Sequence, residues 1–152
     1  MERGALRVGA SSLALLAALT GVAGADDTAG SAVRRGIADG VFSKEQVARG
    51  RRQYLTNCNL GCHGPGLTGG ERVPALAGEG FVQRWRGRSV DELFQRIKLT
   101  MPQTAPQSLS DATYVDIVAF LLDSNGFPTG PQEMRPDDEA LRAIIIVDPD
   151  ND

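Results

Sequence analysis

The sequence predicts an all-α fold of three main helices joined by glycine- and proline-rich loops. Three segments carry helical apolar periodicity behind a capping residue. No two segments read as paired strands, and no internal repeat is visible. Three such helices offer too little apolar surface to enclose a good core alone, so the fold calls for a large apolar group at its centre.

The elements follow in chain order. Arg3 and Arg7 open a basic start, residues 13–19 form an apolar core too short to span a bilayer, and Ala23-Gly24-Ala25 is a small-x-small cleavage site. Residues 1–25 therefore read as a cleaved export signal, which predicts a periplasmic protein. No later stretch is apolar for long enough to cross a membrane, so no span is expected after cleavage. Residues 26–40 are rich in Gly, Ala, Asp and Ser and read as a flexible lead. Residues 41–130 are expected to form one domain, and 131–152 an acidic tail that packs on it or docks from it.

Ser43 is the expected N-cap of a helix from about Lys44 to Asn57, in which Val47, Gly50 and Tyr54 share a face at i, i+3 and i+7. Residues 61–80 hold seven glycines with Pro65 and Pro74 and read as loop. Ser89-Val90-Asp91-Glu92 is a capping box that opens a helix to about Lys98, buried through Val90, Leu93, Phe94 and Ile97. Thr100-Met101-Pro102 lies in the loop that follows. Ser110 caps a helix over about 111–123 with a stripe of Tyr114, Ile117, Val118, Leu121 and Leu122, and Ser124-Asn125-Gly126 stops it. The apolar run from Ala143 to Val147 fits a late helix or an extended strap equally well.

Charge is uneven. The whole chain carries 16 Lys+Arg against 19 Asp+Glu, and from Pro131 onward two basic residues face seven acidic ones. The body is close to neutral, which argues against nucleic acid, whose binding needs a basic stripe. Arg84, Arg86 and Arg88 make only a small basic cluster around Trp85.

The chemistry concentrates in Cys58-Asn59-Leu60-Gly61-Cys62-His63, which holds both cysteines and the one histidine of the chain. Two thiols followed at once by an imidazole is the arrangement that attaches a covalent c-type haem, the thiols bonding the vinyl groups and the imidazole the iron. The usual spacing places two residues between the cysteines, and here there are three. In a regular helix a cysteine four positions before the histidine lies about 40° away in rotation, whereas one five positions before lies about 140° away. The segment must bulge or unwind to present both thiols to one haem edge, and Gly61 permits this. The pattern leaves open two thioethers or one through Cys62 alone. Zinc is a poor alternative for want of further ligands, a thioredoxin-like site lacks its strand and helix, and a Cys58–Cys62 disulfide beside an idle His63 is the blander reading. Met101 is the candidate second axial ligand, because a thioether in that loop can reach iron without disturbing helix packing. Met134, in the acidic tail, reads as a packing residue. A carbonyl in the Pro74 turn is the candidate acceptor for the free ring nitrogen of His63. Trp85 could donate its indole N–H to a haem propionate, beside Arg84 or Arg86.

These residues resemble a class I c-type cytochrome, and most closely the cytochrome domains of periplasmic quinoprotein alcohol dehydrogenases and similar sulfur-oxidation cytochromes. The resemblance runs from Val41 to Val147. It rests on Val41-Phe42-Ser43-Lys44-Glu45-Gln46, Arg49-Gly50, Tyr54, Cys62-His63-Gly64, Leu67-Thr68-Gly69-Gly70, Pro74-Ala75-Leu76-Ala77-Gly78, Thr100-Met101-Pro102, Leu109-Ser110, Tyr114 and Asn125-Gly126-Phe127-Pro128. It implies a class I cytochrome c fold around one haem c held by Cys58 and Cys62, with His63 proximal, Met101 distal and Pro74 lining the His63 side. It implies that Gly50 and Tyr54 pack on the last helix near Tyr114 and Leu121. Gln107 stands where the family often has glycine. The implied role is single-electron transfer, not catalysis, to or from a periplasmic partner such as a quinoprotein dehydrogenase or terminal oxidase. A five-coordinate haem with peroxidase or gas-binding activity is the alternative, and it requires Met101 off the iron.

Overall fold

The computed structural model of the chain describes residues 35–147. The expected export signal and residues 26–34 of the expected lead lie outside the described residues. Among the described residues five α-helices carry most of the regular structure: α1 (Lys44–Asn57), α2 (Glu79–Trp85), α3 (Val90–Thr100), α4 (Asp111–Asp123) and α5 (Asp138–Arg142). Two two-residue strands, β1 (Arg35–Gly36) and β2 (Ile144–Ile145), pair in parallel.

The three predicted caps form as expected. Ser43 accepts from the Gln46 amide at 3.0 Å, Ser110 from the Thr113 amide at 3.2 Å, and Ser89 and Glu92 close a reciprocal box at α3. Each satisfies an N–H that the first helical turn leaves without an intrahelical partner. α2 was not anticipated. Its N-cap is Gly78 at φ +91, with no side-chain cap, so nothing in the residue types announces its start.

α1 and α4 cross at Gly50, where a Cβ would run into the Asp116 carbonyl and the Phe120 side chain. One turn on, the Tyr54 and Phe120 rings lie 5.3 Å apart. The partners of Gly50 and Tyr54 are thus Asp116 and Phe120, offset from the expected Tyr114 and Leu121. The buried face of α1 is Gln46, Gly50 and Tyr54, and Val47 is only half-buried. Gln46 takes the inner position because its amide is fully used: it donates to the Met134 carbonyl at 2.9 Å and accepts from the Met134 amide at 3.0 Å.

That pair belongs to a strap. After α4 the chain passes back over α1, with Gly130 donating to the Phe42 carbonyl and Arg49 forking to both Asp116 and Glu133. Met134 is buried, in keeping with a packing role. α5 then reaches α3 through Arg142 and Asp91, and Ile146 exchanges backbone bonds with Gly87 and Arg88. The late apolar run is therefore the extended strap of the two alternatives. The expected lead is folded from Arg35 onward: β1 pairs with β2, and Ile37 is wholly buried. The weak sequence signal reflects a segment ordered by pairing across the chain, not by its own periodicity.

Candidate haem site

Cys58 closes α1, its amide donating to the Tyr54 carbonyl at 2.8 Å. The next five residues, Asn59–His63, form a single π-helical turn in which the His63 amide bonds the Cys58 carbonyl at 3.4 Å. A π turn is an α turn with one residue inserted. Five residues then do what four do in an α-helix, and Cys58 returns to roughly 40° from His63 in rotation, not 140°. The extra residue between the cysteines is absorbed at the place where it occurs. Both thiols are free; Cys58 is half-buried and Cys62 exposed. Burial, with the neighbouring Cys62 second, pushes the Cys58 thiol up to about 11, so it is protonated at neutral pH.

His63 is buried, and its Nδ1 lies 3.1 Å from the Pro74 carbonyl. A carbonyl can only accept, so Nδ1 carries the proton and the Nε2 lone pair is left for a metal. Burial lowers the His63 pKa, the Pro74 bond opposing it in part, which favours the neutral imidazole that a metal needs. The Pro74 turn is itself held from α4. Asn125 donates to the Leu76 carbonyl at 3.0 Å and the Leu121 carbonyl at 2.7 Å, and accepts from the Gly78 amide at 2.9 Å. By residue type Asn125 reads as a helix stop within the Asn125-Gly126-Phe127-Pro128 stretch, since an Asn-Gly pair after a helix is an ordinary terminator and says nothing of contacts 49 residues back.

Met101 ends α3 and is half-buried. Its carbonyl accepts from the Tyr114 hydroxyl at 2.7 Å. The matching bond on the other side runs from the Tyr54 hydroxyl to the carbonyl of Gly64, next to His63, at 2.6 Å. Two fully buried tyrosines, one from each of the crossing helices, thus hold the two loops that carry the candidate axial ligands. Trp85 is buried against Phe81, their ring centroids 6.4 Å apart, and the Arg88 guanidinium lies over its face at 5.6 Å.

The donor set fits a covalent haem: two free thiols in phase on one turn, an imidazole with its second nitrogen already committed, and a thioether at a helix end. The family model described as Cytochrome C oxidase, cbb3-type, subunit III matches residues 45–121. The chain belongs to this family. It is a class I c-type cytochrome with the all-α fold of that class, and it binds a covalently attached haem c through which it carries electrons. No curated protein and no solved structure matches it.

Proposed function

We propose that this cytochrome is a periplasmic mono-haem electron carrier in which Cys58 and Cys62 form two thioethers, His63 binds iron through Nε2 and Met101 binds it through sulfur. The observation that carries this reading is the π turn, which restores to Cys58 the phase that the three-residue spacing takes away. The haem supplies the one-electron cycling of its iron. The chain holds the ligands still: Pro74 and Asn125 orient His63, and Tyr114 fixes the Met101 backbone. Trp85, which contacts Phe81 and the Arg88 guanidinium, is the proposed donor to a propionate. Two protein ligands leave no open iron position, which suits electron transfer over catalysis.

The family description supports an oxidase as acceptor, and the resemblance to quinoprotein dehydrogenase cytochromes supports a dehydrogenase as donor. The basic start and small-x-small site of residues 1–25 support export to the periplasm. Among the described residues no helix is long and apolar enough to cross a membrane.

The test is Met101→Ala in the haem-loaded protein. The sulfur-to-ferric-iron absorption should disappear and the reduced protein should now bind carbon monoxide. An unchanged spectrum removes Met101 from the iron. Ready carbon monoxide binding by the unaltered protein would instead make it a five-coordinate haem protein.

A further inference from the structure

About a third of a turn round from its buried face, α1 lines an open groove of about 690 Å³. Val47 and Ala48 of α1, Leu67 of the loop after His63 and Phe120 of α4 supply its apolar part. Lys44, Arg51 and Arg52 of α1 and Asp123 of α4 are the charged residues that line it. All three cations are exposed, and among the described residues none of them makes an ion pair. Arg49, on the same helix, is by contrast locked by Asp116 and Glu133. The body of the chain is close to neutral, so three free cations against one acid are a local excess that its overall charge does not explain.

We propose that this groove docks an acidic, amphipathic segment of a partner protein. The cations occupy i, i+7 and i+8 of α1 and span about 12 Å along its axis. That is too long for one small anion and matches about two turns of a partner helix. The apolar lining asks for leucine-like side chains between the acids, the pattern of a helix laid in a groove. Charge on the rim would set encounter rate and salt dependence, and the apolar contacts the lifetime. A segment held here lies against residues 65–67, immediately after His63. The inference rests on the fold alone and stands or falls separately from the axial-ligand assignment.

The probe is a short amphipathic Glu/Leu peptide, with a Glu-only peptide of equal length beside it. Amide chemical shifts are followed on the reduced, haem-loaded full chain. The Glu/Leu peptide should shift residues in 44–55, 65–67 and 120–124. Its affinity should fall about tenfold when ionic strength rises from well below to above the physiological value. The paired changes Arg51→Glu and Arg52→Glu should abolish binding. Arg135→Glu, an exposed cation outside the groove, should leave it intact. Shifts scattered over the surface, equal loss in Arg135→Glu, or equal binding of the Glu-only peptide would each overturn the proposal and leave only non-specific attraction of anions.

Discussion

Tyr114 packs edge-on against Phe94 while its hydroxyl holds the Met101 carbonyl, so one side chain serves both the core and the loop of the proposed ligand Met101. Tyr114→Phe keeps the packing and removes the bond, which should cost about 1 kcal/mol in urea unfolding. If that energy holds Met101 on the iron, added imidazole should displace it at about fivefold lower concentration, the ratio that 1 kcal/mol corresponds to. Tyr54→Phe should cost a similar stability and leave imidazole displacement of Met101 unchanged, because its hydroxyl serves the His63 side. An equal response in both variants would mean that the loops are not separately held. The Pro74 acceptor of His63 was legible in the sequence, and His63 and Met101 stand out there as candidate ligands, since their chemistry is written in residue types and order. The hydroxyl bonds of Tyr54 and Tyr114 were not legible, because a tyrosine in an apolar stripe looks like any core aromatic. Gln107 was legible as a misfit: it stands at φ +62, where glycine is the unstrained residue.

The elements divide in the same way. Caps and stripes fixed α1 and α4 to the residue, and the five-residue step from Cys58 to His63 required a distortion that the structure supplies as a π turn. The strap over α1 had no such signal, because it is ordered by side chains far apart in sequence: Ser43, Gln46 and Arg49 on one side, Glu133 and Met134 on the other. Glu133 reports on it. Its pKa is lowered, first by the hydrogen bond from Arg49 and then by that from Ser43. A folded-state pKa below the unfolded one stabilises the fold fully above the unfolded value, and that stability is lost as pH falls through the folded value. Unfolding free energy should therefore drop on acidification through and below the ordinary carboxylate range. Glu133→Gln should be less stable at neutral pH and show a shallower acid decline. A parallel decline in both proteins would mean that the strap does not depend on this charge.

At the scale of the molecule, the α1–α4 crossing sets where everything else hangs, since Tyr54, Tyr114 and Asn125 all stand on or just beyond those two helices. Gly50→Ala tests it: higher helix propensity would favour the variant by about 1 kcal/mol, but the Asp116 carbonyl leaves no room for the methyl. The crossing must spread, and a net loss of about 2 kcal/mol is expected in urea unfolding. The all-α class was readable from caps and periodicity. The folding of residues 35–40 against the strap was not, because β1 and β2 have two residues each and no pattern of their own. The proposed attachment engages both cysteines on one haem despite the extra residue between them. It is tested most directly by a pyridine haemochrome spectrum of the haem-loaded protein beside that of a Gly61-deleted variant, in which the ordinary spacing is restored. Both should show the same two-thioether position. A spectrum at the one-thioether position for the natural chain alone would contradict it, and would leave Cys62 as the single attachment.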